Sequence, residues 1–479
     1  MTTANPERAR RGPLAPVRAH VAHAYASYRE VRDRPLTSYY LLLGASALLL
    51  TIGVIMVLSA SSVSSYEHND GDSYAVVKRQ LMWVALALPA AWAASRTRQR
   101  WIRKLAWPGY VVSLALLLTI GVIMVLSASS VSSYENNNGD SYAVVKRQLL
   151  WVALALPTAW AASRMRQRWI RKLAWPGYAV SLGLLLLTAQ FGVLINGNKN
   201  WLSLGPVLIQ PAEIAKLALI LWAAHIYAHK DRRLVSLHHV MMPVVPGLLA
   251  ATLLVVVGHD LGTALVLFAI LLGMLWVVGA PARFFGFCIS LVSVVAIFLA
   301  STSSERLQRI TNFADPFKDF HNTGWQPAHG LYALSTGGLF GQGIGASQQK
   351  WGDLPEAHTD FIFAVLGEEL GLVGTLLVIA LFLTIAYAAL RIARETADPF
   401  VRYATFGIVV WLLGQMIINI GMVLALLPVI GIPLPMVSYG GSSLVPTLVG
   451  IGLIIGFARR EPDTARALRL RRRAPARGR

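Results

Sequence analysis

The sequence predicts an all-α, polytopic integral membrane protein, and three observations carry that expectation. The chain of 479 residues is 55% hydrophobic and only 14% charged, with a mean hydropathy of +0.55. Apolar runs of spanning or near-spanning length recur, for example at 39–58, 241–257 and 372–387. A bilayer core of roughly 30 Å takes about 20 apolar residues as helix, and a helix satisfies its own backbone polar groups in lipid. Finally, basic residues crowd one side of the expected spans. They fill the tail before the first span and recur at 96–104, 164–172, 230–233, 391–402 and 459–479.

Expected spans lie at about 39–59, 81–95, 105–127, 149–163, 173–195, 212–228, 240–257, 262–279, 284–300, 361–387, 403–428 and 443–458, twelve crossings in all. An even number places both ends on the basic side, the cytoplasm by the positive-inside rule. The chain then divides into a basic tail (1–38), a membrane domain (39–458) and a second basic tail (459–479). The net charge of +20 is thus read as membrane orientation, and no nucleic-acid partner is expected. The first apolar run follows a long basic segment and is long enough to stay as an anchor, so no cleavable signal is expected. Cys288 is the sole cysteine, which excludes an internal disulfide and a multi-cysteine metal site.

Residues 51–118 recur almost letter for letter at 119–186, an offset of 68 residues. Near-identity of this kind marks a recent tandem duplication, since solenoid repeats keep pattern while their letters diverge. The unit starts inside one expected helix and ends inside a later one, so it adds two crossings and leaves the downstream topology unchanged. The helix expected at 105–127 is a hybrid of the two copies. The longest outer loop, about 301–359, carries Arg306, Arg309 and a Gly-rich stretch, GGLFGQGIG. Loops of that length are commonly functional, and Trp325, Leu331, Leu339 and Trp351 are candidates to anchor it at the membrane surface.

Ionisable groups at membrane depth are costly and mark a pathway, a cavity or a site. Glu213 and Lys216 open one span three residues apart, on one helix face, where they can pair. Asp260 sits in a polar break, GHDLGT, where it either neutralises Lys216 or caps the following helix. His358 and Asp360 precede another span, and Asp360 stands where an N-cap belongs. Glu368 and Glu369 follow about 12 Å deeper, flanked by Gly367 and Gly371, an arrangement that also suits close helix packing. The stretch PLPMVSYGGSS, with Ser438, Gly440 and Gly441, reads as a re-entrant-looking turn or a plain helix break. Residue chemistry by itself supports a polar intramembrane cavity and no particular reaction.

Taken together and in this order, these stretches resemble the SEDS family, the membrane peptidoglycan polymerases FtsW and RodA. The likeness runs through NGNKNWLSLGPVLIQPAEIAKLA (196–218), GHDLGTA (258–264), RITNFADPF with GWQPAHGLYALSTGGLFGQGIG (309–345), LPEAHTDFIFAVLGEELGLVG (354–374) and LPMVSYGGSS (434–443). LPEAHTDF with GEELG looks more like the division type, FtsW. Mild departures stand at Asn200, Ala212, Gly258 and His259; the larger one is two crossings beyond the family's ten.

The resemblance implies glycan-strand synthesis from lipid II, in which an acceptor 4-hydroxyl attacks the anomeric carbon of a diphosphate-linked sugar and inverts it to a β-1,4 bond. It places the essential carboxylate at Asp360, as general base or as holder of a divalent cation, Mg or Mn, on the leaving diphosphate. Lys216, Arg306 and Arg309 become candidates for diphosphate contacts, with Glu213, Asp260, His358, Glu368, Ser438, Gly440 and Gly441 around the substrate. No organic cofactor is implied. The implied partners are a class B penicillin-binding protein transpeptidase and other divisome proteins, and the implied place is the septal region of a bacterial plasma membrane. A lipid II flippase and a non-catalytic divisome scaffold are the competing readings.

Overall fold

The computed structural model describes residues 99–460, apart from 196–197, 206, 235, 287, 291–312, 314 and 352–353. The expected spans at 39–59 and 81–95 lie outside the described residues, as do most of the span at 284–300, Arg306 and Arg309.

The other expected spans all appear as helices. The hybrid of the two repeat copies is one continuous helix, α1 (Gln99–Asn136). It is followed by α2 (Ala143–Arg164) and α3 (Gln167–Phe191). After a polar connection come α4 (Pro211–His229), α5 (Val244–Val257) and α6 (Leu261–Val277). The outer loop contributes α7 (Trp325–Gly337), and the chain ends in α8 (Ile362–Glu395), α9 (Pro399–Val423) and α10 (Gly441–Ala458). Six helical segments are long and apolar enough to cross a membrane among the described residues.

The all-α bundle carries one small addition. The connection between α3 and α4 folds into a small antiparallel sheet in the order β1 (Val193–Ile195), β2 (Asn198–Leu204), β3 (Val207–Ile209). Its register pairs Leu194 with Lys199 and Ser203 with Leu208. Gly205, in the left-handed region at φ 66°, turns β2 into β3.

Packing follows from small residues and from aromatic fill. Helix α2 lies along α10. A Cβ at Gly452 or Gly456 would strike the carbonyls of Ala159 and Ser163, so this small-xxx-small pair lets the backbones approach closely. Trp222 of α4 stacks on Tyr178 of α3, with ring centroids 4.0 Å apart and 7° between planes. Trp411 of α9 and Tyr110 of α1 are fully buried. Leu150, Trp160, Leu253, Trp276 and Leu376 are exposed on the outer faces, the pattern of helices whose surroundings are lipid.

α8 is broken. Gly371 adopts φ 67° within it, which releases backbone groups on either side. The loop after α7 takes them up: Gln342 N donates to Glu368 O at 2.9 Å, Gly343 N to Glu369 O at 3.0 Å, and Leu372 N to Gly338 O at 3.0 Å. A Cβ on Gly341 would collide with the Glu369 carbonyl, so glycine is required for that approach.

Candidate functional site

Asp360 lies in the turn that delivers the chain into α8. The helix starts later than an Asp360 cap requires: Phe361 holds the cap position and the cap has no side-chain hydrogen bond. The capping reading of Asp360 therefore fails. Phe361 N bonds instead to Glu356 O at 3.2 Å, closing the turn, and this leaves the Asp360 carboxylate to its surroundings.

Three residues from two elements hold that turn. From α9, buried Asn419 donates through Nδ2 to the Asp360 carbonyl at 2.8 Å and to Ile432 O at 2.7 Å. From the turn before α10, Ser438 Oγ donates to Thr359 O at 2.6 Å and accepts from Leu434 N at 2.7 Å. Tyr439 N donates to His358 O at 2.9 Å, and the Tyr439 and His358 rings lie 5.6 Å apart. Gly431 borders the carboxylate itself, where a Cβ would sit 3.3 Å from Asp360 Oδ2.

The electrostatics set Asp360 apart. Burial first, then the negative charges of Glu356 and Asp260, push its pKa up to about 7. Desolvation and like charge both disfavour the ionised form of an acid. The residue is half-buried, and desolvation is the larger cause of the shift. Burial also lowers the pKa of His358, against an opposing pull from Glu356, which favours a neutral imidazole.

The remaining expected residues fall into three neighbouring networks. Asp260 caps α6, accepting from Thr263 N and Thr263 Oγ1, each at 2.9 Å. It also accepts from Asn200 Nδ2 at 2.9 Å and Gln210 Nε2 at 3.2 Å. Of its two sequence readings, the helix cap is the one the structure shows.

Lys216 pairs with Glu213 instead, at 2.7 Å, with both side chains almost fully buried. Its ammonium lies 3.4 Å from Gln415 Oε1 and 5.7 Å from the Trp411 ring centre. Gln415 Nε2 in turn donates to Pro433 O at 3.4 Å, so this cluster reaches the turn that carries Ser438.

Glu368 and Glu369 hold the outer loop. Glu368 accepts from Ser347 Oγ at 2.5 Å and Gln348 N at 2.9 Å. Glu369 accepts from Ser127 Oγ of α1 at 2.5 Å and pairs with buried Lys350 at 3.2 Å.

Gly440 takes φ 152° at the start of α10, and its N–H donates to Gln148 Oε1 at 3.3 Å. A Cβ on Gly441 would overlap the Trp151 ring. Both glycines thus seat α2 against the turn.

Sequence reasoning missed Asn419, Gln415, Gln148, Ser127 and Lys350. The four neutral residues carry no charge to raise suspicion in an apolar run. Lys350 sits in a loop, where a lysine is ordinarily exposed.

Among the described residues, no group of three or more His, Cys, Asp or Glu side chains stands close enough to hold a metal ion. Mg²⁺ is often held by one or two carboxylates plus substrate phosphates. Asp360 itself is a half-buried carboxyl whose pKa is pushed up to about 7, on a turn held by hydrogen bonds from α9 and from the turn before α10.

The family model for FtsW, RodA and SpoVE, described as a cell cycle protein, matches residues 39–120 and again 110–462. The probable peptidoglycan glycosyltransferase FtsW of Mycobacterium tuberculosis is 41% identical over 357 residues, covering 74% of this chain and 68% of that protein. Stage V sporulation protein E of Bacillus subtilis is 36% identical over 356 residues, covering 73% and 96%. Among solved structures, a chain from a peptidoglycan synthase complex that coordinates polymerization and crosslinking superposes with a TM-score of 0.61 at 29% identity, covering 74% of this chain and 98% of that one. The rod shape determining protein RodA of Thermus thermophilus gives 0.54 at 28%, covering 74% and 97%.

Proposed function

The chain belongs to the FtsW, RodA and SpoVE family of cell cycle proteins, and from that premise we infer that it is a division-type peptidoglycan glycosyltransferase whose general base is Asp360. It is a multi-pass membrane protein, and its relatives in this family include named peptidoglycan glycosyltransferases. The observation that carries the residue assignment is the raised carboxyl of Asp360 on a turn held by three hydrogen bonds, from Asn419, Ser438 and Tyr439.

The chemistry follows from that carboxylate. Pushed up to about 7, its pKa lies near neutral pH, where a base is best matched to its task. The acceptor sugar's 4-hydroxyl gives its proton to an Asp360 carboxylate oxygen as its own oxygen bonds to the anomeric carbon of the donor. The bond from that carbon to the lipid diphosphate breaks on the opposite face, and the diphosphate leaves with the electron pair. Inversion gives the β-1,4 linkage. The donor is lipid II, the diphosphate-linked disaccharide peptide.

Lys216 is sealed into its pair with Glu213, so in this reading it shapes the floor of the site through Gln415 and Pro433. Arg306 and Arg309 are the cations assigned to the diphosphate. The partner is a class B penicillin-binding protein that cross-links the strands, within the division machinery at the septum. Both termini are cytoplasmic.

Purified protein, supplied with fluorescent lipid II and its transpeptidase, tests this reading. Polymer that disappears with Asp360→Asn supports it. Lipid translocation without polymer would replace it with a flippase, and neither activity would leave a scaffold.

A further inference from the structure

We propose that the exposed aromatic surface formed by Phe317 and Tyr332 is a subsite for the glycan strand, a β-1,4-linked N-acetylhexosamine polymer, on the outer-loop helix that packs against the start of α8; the proposal rests on the polymerase reading above. Phe317 is 48% exposed and Tyr332 41% exposed, with ring centroids 5.5 Å apart. Neither is needed to close the core. They form the outer layer of a built platform. Beneath them Phe320 lies 5.2 Å from His329 and 6.2 Å from Tyr332, and Trp325 lies 4.1 Å from His329.

The platform is rigid and joined to the site. α7 turns its small residues towards α8: a Cβ on Gly330 would stand 2.9 Å from the Phe361 ring, and Phe361 is the neighbour of Asp360. Gln326 Nε2 donates to Pro355 O at 3.1 Å, which ties α7 to the start of the Asp360 turn. On the other side, Gly324 N bonds to Asp319 O at 3.1 Å, fixing the turn that carries Phe317 and Phe320. A surface held this way is pre-organised, so little ordering opposes binding.

The chemistry of the patch selects its ligand. In a β-1,4-linked hexosamine the ring substituents are equatorial, so each face presents axial C–H bonds. Those weakly positive hydrogens suit the negative face of an aromatic ring. The rim is polar. Asp319 is held below the usual carboxylate range, first by the Thr323 hydroxyl and then by the Asn322 amide, so it stays ionised as an acceptor for sugar hydroxyls. Asn322 and Lys318 are exposed beside it and suit acetamide and hydroxyl groups. An apolar surface with a few placed polar groups is the ordinary make-up of a small-molecule subsite. A surface resting on lipid headgroups is the alternative that the same rings could serve.

The test uses the full chain with its transpeptidase and fluorescent lipid II, and reads glycan length on gels. The Phe317→Ala, Tyr332→Ala double variant should shorten the mean strand severalfold more than it slows lipid II consumption. Tyr332→Phe, which keeps the ring, should restore length. Saturation-transfer NMR with a lipid-free GlcNAc–MurNAc tetrasaccharide should show contact with the wild type and lose it in the double variant. That probe keeps the two readings apart: no polymer from the wild type defeats the polymerase reading, whereas tetrasaccharide contact decides the subsite. Unchanged strand length would overturn the proposal. So would a double variant that keeps tetrasaccharide contact, or one whose only defect is membrane insertion.

Discussion

Ser438 Oγ donates to the Thr359 carbonyl at 2.6 Å, so one hydroxyl of the turn before α10 fixes the residue ahead of Asp360. The same oxygen accepts from Leu434 N at 2.7 Å. Ser438→Ala leaves a carbonyl and an N–H unsatisfied in a buried place, at a cost of about 1–3 kcal/mol. The protein should still insert, because the helices around the turn pack through apolar contacts. Polymerisation should fall further than the modest loss of thermal stability suggests, since Asp360 loses one of its three restraints. A Ser438→Ala protein with reduced stability and wild-type rate would show that this bond serves folding alone.

Asp360→Asn should abolish polymerisation, by about 100-fold or more, the range expected for a general base. The wild-type rate should rise with pH through about 7, because the base must be ionised. Stability runs the other way. A carboxyl raised above its ordinary value near 3.9 stabilises the fold when protonated, and that contribution is lost as pH rises towards and through about 7. Asp360→Asn cannot ionise, so it should melt at a higher temperature than wild type at pH 8 and lose that advantage near pH 4. Thermal scans at the two pH values, beside a pH–rate profile, check both halves. A flat rate profile from pH 5.5 to 8 would remove the assignment.

Much of this was legible in the residues and some was not, for physical reasons. Hydropathy located the helices because lipid demands long apolar runs, and the polar interruptions marked where Glu213, Asp260, Asp360 and Ser438 would gather. The sheet at Val193–Ile209 was hidden because its strands are short and its centre, NKNWLSL, mixes polar and apolar residues without clean alternation. The break in α8 was hidden because a single glycine, Gly371, looks like helix packing until its partners in the loop are known. Asp260 had two readings, and the choice fell to the carboxamides of Asn200 and Gln210, which only the folded chain brings near.

Lys216→Ala should lower the amount of folded protein as well as activity. It strands the Glu213 carboxylate, whose Oε2 has no hydrogen-bond partner among the described residues, at a cost of roughly 3–5 kcal/mol. Glu213→Gln combined with Lys216→Met removes both charges, and should recover much of the yield. Detergent-solubilised yield and melting temperature for the single and double variants decide. Normal yield in Lys216→Ala with a selective loss of lipid II binding would make the lysine a substrate residue.

Glu369→Gln should loosen the outer loop more than the bundle. Its carboxylate pairs with Lys350 and accepts from Ser127, and the change leaves the Lys350 ammonium buried without its counter-ion. The cost belongs to breaking a buried pair, about 3–5 kcal/mol. Local opening should appear as faster amide exchange in 338–350, with α9 and α10 unchanged. Lys350→Met in the same background should restore part of the protection, since the stranded charge is then gone. Equal loss of protection across all helices would show that the pair holds the bundle itself.

Deleting one repeat unit, 51–118, should give a folded and active protein with two fewer crossings. The junction is conservative: Leu50 then precedes Thr119, as Leu118 does now. Everything from Thr119 onwards stays, including Gly121, whose Cβ would strike the Met436 carbonyl, and Ser127, Gln148 and Trp151, which bond or pack at the site. The second family match starts at residue 110 and runs to 462, so it takes in the second copy and the chain that follows it. One loss is specific. Tyr110, fully buried and bonded to Ile451 O at 3.4 Å, leaves with the deleted unit, and Leu42 takes its place by the 68-residue offset. That exchange removes a weak hydrogen bond, worth about 1 kcal/mol. A companion deletion of 39–98 keeps Tyr110 and should therefore melt slightly higher than the 51–118 deletion. Both remove two expected crossings together, so the basic clusters should stay on one side of the membrane. Cysteine-accessibility mapping and the polymerisation assay on the two deletions decide the matter. A misoriented or inactive product from both would show that the extra pair has become part of the working fold, and activity in only the 39–98 deletion would show that Tyr110 is what the hybrid helix contributes.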